Sequence, residues 1–464
     1  MTQEKSTVRT RIAPSPTGFP HIGTVYQALF NFSFARRHNG QFMVRIEDTD
    51  QARFVEGAED VIFKTLDWFG LTEDESPRKS GPYDPYRQSE RLSTYQEHAQ
   101  ELIKKGGAYY CFCTKERLDQ MRKQLQVEKK PLRYDRHCRD LSAEEVSKKL
   151  DEGVPYVIRL KVPDNTQIVV KDEIRGEVTF NSAEIDEQVL LKSDGFPTYH
   201  LGVVVDDYLM KITHVVRGEE WLTSAPKHVL LYDYFGWEKP LFFHTPVLRN
   251  PDKSKLSKRH GHTNVSWYKE AGYLPEAILN YLALMGWSHP EEKEIFSLNE
   301  FISLFDLSDM KAVGPIFDLT KLTWMNGMYI REMDDTVLKK RLIDFDPKIG
   351  TVEEHIIDSF VSIAKSRIKT LAEFMPQVLP FIQKQTLELT HEEKTNRIAL
   401  KAQLESRDEW NTDTILSVLR DFITKTPGIN FKYLYKIVIG ANQGLPLVDA
   451  FVIIGKEKTL ELLG

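Results

Sequence analysis

The first fifty residues carry three different rhythms of apolar and polar positions. Val8 to Ala13 alternates branched and charged side chains with period two, which predicts a strand; Pro14, Pro16, Gly18 and Pro20 then forbid regular structure and make a stiff loop. From His21, the apolar positions Val25, Ala28, Leu29, Phe32 and Ala35 recur at helical spacing as far as Arg36-Arg37-His38, and Asn39-Gly40 stops the helix. Phe42 to Ile46 reads as a second strand. Such a strand–helix–strand unit is right-handed with parallel strands. It sets the loop and the first helical turn at the carboxyl edge of a sheet, where ligands bind.

The same reading extends along the chain. Ala52–Phe69 and Ser89–Lys105 are expected as amphipathic helices, completing the first half of an α/β fold. Composition shifts at Gly106-Gly107, opening a module with a basic helix, a helix at Ser142–Asp151, and short strands at Tyr156–Val162, Gln167–Lys171, Glu177–Asn181 and Val189–Lys192. The α/β pattern resumes at Thr198, with strands at Thr213–Arg217 and Leu241–Thr245 and a helix at Ser224–Phe235. Beyond Thr263 helices dominate: Leu274–Met285, Leu298–Leu304, Phe317–Met325, and in the last third Glu353–Phe374, Ile398–Gln403 and Thr412–Ile423. The expected fold is a Rossmann-like α/β domain split by an α+β insertion and followed by an all-α region. The segments are 1–106 and 196–262 for the α/β domain, 107–195 for the insertion, 263–325 for a helical domain and 326–464 for an all-helical end.

Length supports that division, because 464 residues exceed what one core serves. Hydrophobic content of 41% and charged content of 28% are ordinary for a globular protein. No stretch resembles a secretory leader or a membrane span, so a cytoplasmic location without membrane attachment is expected. Three cysteines, an odd number, do not build a disulfide framework and agree with a reducing compartment. The net charge of −6 argues against a non-specific nucleic-acid coat. Cations nevertheless cluster at Lys115, Arg117, Arg122, Lys123, Lys129, Lys130, Arg133, Arg136 and Arg139, a segment that fits either a solvated helix face or a shaped RNA contact.

Two short motifs carry the chemistry. At Pro20-His21-Ile22-Gly23-Thr24, free N–H groups and the positive end of the helix dipole suit a phosphate; Gly23 lets a flat ligand lie on the backbone, and His21 can donate to a phosphoryl oxygen. By itself this also fits a capping histidine and a packing glycine. Far downstream, Lys253-Ser254-Lys255-Leu256-Ser257-Lys258-Arg259-His260-Gly261 packs cations and hydroxyls into a run without buried spacing, which alone reads as a solvated basic loop. Together, in that order, PHIGT and KLSKR resemble the HIGH and KMSKS signatures of class I aminoacyl-tRNA synthetases. RIAPSPTGFPHIGT, RIEDTD and RGEEW are similar to the bacterial glutamyl-tRNA synthetases of the glutamyl/glutaminyl subgroup, and the resemblance runs nearly end to end.

That resemblance implies an ATP-dependent ligase that forms a glutamyl-adenylate and passes the acyl group to the 2′-hydroxyl of the terminal adenosine of tRNA(Glu), with Mg2+ accompanying ATP and no covalent enzyme intermediate. It implies a catalytic set of His21, Gly23, Lys255 and Lys258, with ATP also meeting Thr24, Trp221, Leu256 and Ser257. L-glutamate would be held by Arg11 and Arg217 as guanidinium forks, by Glu47 at its ammonium group, and by Ala13, Ser15 and Tyr199. RNA would meet the insertion at its acceptor end, the domain after Thr263 along its inner stem, and the C-terminal helices at its anticodon, with the protein a monomer. The helical end counts against the glutaminyl enzymes, which carry β-barrels there. A non-discriminating enzyme that also charges tRNA(Gln) is the alternative.

Two places depart from the family pattern. Some members carry an asparagine that touches the substrate where this chain has Val203, which cannot hydrogen-bond. Some relatives bind structural zinc through C-x-C and a later C-x-H; here Cys111, Cys113 and Cys138 are followed by Asp140 instead of histidine, with His137 as another fourth ligand, and metal-free cysteines are the favoured reading. A nucleotidylyltransferase of the same fold and a non-catalytic RNA binder are the rival classes. The length of the helical end opposes the first, and the intact phosphate-handling residues oppose the second.

Overall fold

The computed structural model describes residues 7–256 and 263–464. The chain forms two compact units, one comprising residues up to Val265 with Leu279–Phe317, the other Ser266–Ile278 with Asp318–Gly464.

The first unit starts with β1 (Arg9–Ile12), α1 (Ile22–Arg37) and β2 (Gln41–Val44), and β1 and β2 pair in parallel from Arg9↔Gln41 to Ile12↔Val44. This is the strand–helix–strand unit the first fifty residues predict. Helix α1 is buried on nearly all sides, including Ile22, Val25, Ala28, Leu29 and Phe30, which explains why its sequence shows little amphipathic contrast. Gly40 is required after it: a Cβ there would lie 2.2 Å from Val8 O.

Next come α2 (Ala58–Phe69) and α3 (Leu92–Lys104). Helix α2 starts six residues later than Ala52, because Gly57 takes a left-handed φ of 77° and a separate 3-10 turn occupies Gln51–Arg53. The chain continues through β3 (Ala108–Cys111), α4 (Lys115–Val127), α5 (Ala143–Asp151), β4 (Val157–Leu160), β5 (Gln167–Asp172), β6 (Gly176–Asn181) and β7 (Val189–Leu191). The antiparallel β3–β4–β7 sheet belongs to the inserted stretch, whereas the β5–β6 hairpin joins another sheet, ordered β6–β5–β9–β8.

That sheet is completed by α6 (Tyr199–Leu209), β8 (His214–Gly218), α7 (Ala225–Phe235) and β9 (Leu241–Thr245), with β8 and β9 parallel. Thr213 N donates to Arg9 O at 3.0 Å, so the β8 edge lies beside β1. The carboxyl ends of β1, β2 and β8 therefore open in one region. In chain order α8 (Val265–Glu270), α9 (Pro275–Gly286) and α10 (Leu298–Leu304) come next, and within the first unit Phe301 meets the Phe30 ring of α1 edge-on while Phe305 meets it at a tilt.

The second unit is helical: α11 (Leu319–Glu332), α12 (Asp335–Phe345), α13 (Glu354–Ala364), α14 (Phe374–Ile382), α15 (His391–Glu405), α16 (Thr412–Lys425), α17 (Phe431–Ile439) and α18 (Leu447–Leu462). Its core gathers Leu338, Phe360, Val361, Leu400, Phe422, Leu434 and Phe451. The helix expected over Glu353–Phe374 ends at Ala364, and α14 begins only at Phe374; in the gap Asn326 Nδ2 donates to Lys369 O and Leu371 N donates to Gly272 O, so that backbone is bonded outside a helix. Helix α15 starts well before Ile398, where Thr390 and Glu393 form a capping box.

Candidate functional site

A cavity of about 940 Å³ opens where β1, β2 and β8 end. The strand-to-helix turn after β1 shapes one wall. His21 caps α1 with an extended backbone, and its Nδ1 accepts from Gly23 N at 3.0 Å, which puts the ring proton on Nε2. A Cβ on Gly23 would stand 3.2 Å from that same Nδ1, so glycine leaves room for both the ring and the cavity. His21, Gly23 and Thr24 all line the cavity, as do Ala13 and Ser15 from the loop before the helix.

The floor is charged and buried. Arg11 places Nε and Nη2 on Asp207 Oδ1 and Oδ2, at 3.0 and 3.1 Å. Arg45, fully shielded from solvent, donates to Asp207 Oδ1 at 2.8 Å and to Glu47 Oε1 at 3.0 Å. The neighbouring Asp206 accepts from Arg91, Gln88 and Tyr95. Burial alone would raise the Asp207 carboxyl, but the two guanidiniums outweigh it and hold it below the ordinary range. At Glu47 the balance reverses, and burial lifts the carboxyl despite Arg45.

Opposite, Arg217 of β8 is buried among neutral partners. Its Nη1 donates to Tyr199 Oη at 3.0 Å and to His228 Nδ1 at 3.1 Å, and its Nε donates to His244 Nε2 at 3.1 Å. Nη2 has no hydrogen-bond partner among the described residues. The two arginines expected to act alike thus differ: Arg11 is neutralised by a carboxylate across its fork, whereas no described carboxylate touches Arg217.

Tyr199 also meets the Trp221 ring at 4.3 Å between centroids, and Trp221 is partly exposed at the rim. Val203, one turn beyond Tyr199 on α6, is part of the cavity wall and gives it an apolar patch. Leu256 lines the same space; so does Lys255, whose Nζ reaches Glu220 Oε1 at 2.9 Å on the exposed rim. Ser257 and Lys258 lie outside the described residues.

All the other residues expected for ATP and glutamate border this one cavity. Sequence reading missed Arg45, Asp207, His228 and His244. A signal existed for Asp206-Asp207, two acids closing an apolar run of valines, since charges in such a run need buried partners. For single histidines on helix and strand there was none.

Elsewhere, the sulfurs of Cys111, Cys113 and Cys138 lie within 4.8 Å of one another. Neither Asp140 nor His137, the two candidates for a fourth ligand had zinc been bound, is in that group. The Tyr134 hydroxyl stands there instead, 3.3 Å from both Cys111 and Cys113.

Residues 7–324 match the family described as tRNA synthetases class I (E and Q), catalytic domain, and residues 333–463 match an anticodon binding domain. A glutamate–tRNA ligase of Marinomonas sp. (strain MWYL1) is 45% identical over 97% of this chain and 94% of its own length. Another, of Acinetobacter baumannii (strain AYE), is 46% identical over 98% and 92%. The crystal structure of a glutamate tRNA ligase from Elizabethkingia meningosepticum in complex with its amino acid superposes with a TM-score of 0.86 at 34% identity, covering 99% of this chain and 98% of that one.

Proposed function

The chain belongs to the class I tRNA synthetases of the E and Q family, and from that premise we propose that it ligates L-glutamate to tRNA(Glu) through a glutamyl-adenylate. The observation that carries the choice of glutamate is Arg217, a buried guanidinium on the cavity wall with a partnerless Nη2. An unpaired buried N–H costs about 1–3 kcal/mol, and an anionic side chain at that position removes the cost. Glu47, its carboxyl anchored by Arg45, suits the substrate's ammonium group, while Arg11, Tyr199, Ala13 and Ser15 complete that pocket.

ATP is assigned to the other side of the cavity. His21, Gly23 and Thr24 supply the start of α1 for its phosphates, with Trp221 and Leu256 along the wall and Lys255, Ser257 and Lys258 supplying cations and a hydroxyl from the KLSKR segment. Mg2+ accompanies ATP and shields its phosphates. In the first step a glutamate α-carboxylate oxygen attacks the α-phosphorus and pyrophosphate leaves. In the second, the terminal adenosine 2′-hydroxyl attacks the acyl carbon, its proton passes to the departing phosphate oxygen, and AMP leaves. The protein's part is to position the reactants and to stabilise charge on the phosphoryl oxygens.

We assign tRNA to the basic segment around α4 for its acceptor end, to residues 263–325 for its inner stem, and to residues 326–464 for its anticodon. A cytoplasmic monomer completes the reading; no described helix is long and apolar enough to cross a membrane. Cys111, Cys113 and Cys138 bring three sulfurs together, but their fourth neighbour is the protonated Tyr134 hydroxyl and not a histidine or carboxylate, so we read them as reduced cysteines without zinc, and the reaction uses none of them. The deciding experiment is a charging assay with radiolabelled glutamate and purified tRNA(Glu) and tRNA(Gln). Glutamate on tRNA(Glu) alone is expected, glutamate on both would make the enzyme non-discriminating, and glutamate on neither would remove the proposal.

A further inference from the structure

The surroundings of Arg217 contain three histidines for which the adenylate chemistry has no use. An arginine only donates, so His228 Nδ1 and His244 Nε2 must both be acceptors. His228 Nε2, 3.1 Å from His200 Nδ1, then carries the proton and donates to it. His244 Nδ1 carries the other proton and donates to Asp172 Oδ2 at 2.7 Å. Each bond fixes the next, and the set is consistent only when all three rings are neutral. Burial acts in the same direction, holding His200 down at about 3 and His228 well below the ordinary range, with the Lys227 and Arg217 charges adding to it. His244 is lowered by burial against the pull of Asp172.

A buried guanidinium is ordinarily faced by a carboxylate, as Arg11 is by Asp207, which also serves Arg45. Arg217 is instead held by dipoles. We propose that His228 and His244 are positioning residues for amino-acid selection: as neutral acceptors they fix the Arg217 fork without neutralising it, so that the first carboxylate it meets directly is the substrate's side chain. A glutamine side chain offers Arg217 an acceptor but no charge, and gains less. Asp172 takes part from behind, by fixing the His244 tautomer. This rests on the glutamate reading above and deepens it.

The test uses the full-length protein in steady-state charging of tRNA(Glu), with KM for glutamate, KM for ATP, kcat and the thermal midpoint measured for each variant. His228→Gln retains a neutral acceptor and is expected to keep the glutamate KM within about threefold; His228→Glu brings a carboxylate to the fork and is expected to raise it on the order of tenfold or more, the scale of one charge-assisted hydrogen bond, with the ATP KM unchanged. A merely structural histidine would give equal effects for both variants, spread over both KM values and kcat, and that outcome overturns the proposal. If His228→Glu does not fold, Asp172→Asn decides: His244 is then free to take the tautomer that cannot accept from Arg217. A raised glutamate KM with an unchanged ATP KM supports the proposal, and an unchanged glutamate KM overturns it. A wild-type enzyme that charges no tRNA would overturn the functional reading itself, which separates the two failures.

Discussion

Arg45 Nη2 donates to Glu47 Oε1 at 3.0 Å, joining the residue that follows β2 to one two positions on that lines the cavity. Arg45 also holds Asp207, and Asp207 holds Arg11. The two ends of this alternating chain, Arg11 and Glu47, are residues assigned to the amino acid.

Asp207→Asn tests that chain. Removing one charge leaves Arg11 and Arg45 facing an amide in a buried site, where breaking an ion pair costs about 3–5 kcal/mol. Urea unfolding should show a loss of that order, and the glutamate KM should rise more than the ATP KM. An unchanged unfolding midpoint would mean the chain contributes nothing to stability.

His21 has two separable duties. Asparagine keeps a side-chain acceptor for the helix cap but lacks the imidazole, so His21→Asn is expected to hold the thermal midpoint within a few degrees while kcat falls on the order of a hundredfold. His21→Ala should add a loss of about 1 kcal/mol from the missing cap. Equal kcat in His21→Asn and the wild type would leave the histidine as a cap alone.

The buried histidines set a pH dependence. His200 sits at about 3 and His214 at about 4 in the folded protein, both held down chiefly by burial, against an ordinary value of 6.5. The unfolded chain therefore binds more protons below pH 6.5, and stability falls as pH drops from there toward 4, by up to about 1.4 kcal/mol per pH unit for each such group. The slope is about half its maximum at pH 6.5 and fades about one pH unit above it. Urea midpoints from pH 8 to pH 4 check this, and His200→Gln should flatten the acid limb.

Lys258→Ala is expected to abolish charging while tRNA affinity stays within a few-fold, measured by filter binding beside aminoacylation. Lys255→Ala, by contrast, removes an exposed pair with Glu220 and should change stability by less than about 1 kcal/mol. Parallel loss of tRNA affinity and charging in Lys258→Ala would take the phosphate role away from that segment.

The local order of this protein is written in its sequence. The period-two and helical rhythms, with proline and glycine as stops, were enough to place β1, α1 and β2, and the motif at His21 and Gly23 lay where a parallel unit must expose it. The residues themselves could also say that Asp206-Asp207 needed partners, though not which. Tertiary structure alone decided that Arg11 is neutralised by Asp207 while Arg217 is not. It also decided that β5 and β6 extend the sheet of β8 and β9, and that the helix expected from Glu353 breaks before Leu371. The reason is the same in each case. Periodicity reports which face of an element is apolar, whereas the partner of a buried charge or a diverted backbone group comes from an element distant in sequence, brought close only by folding.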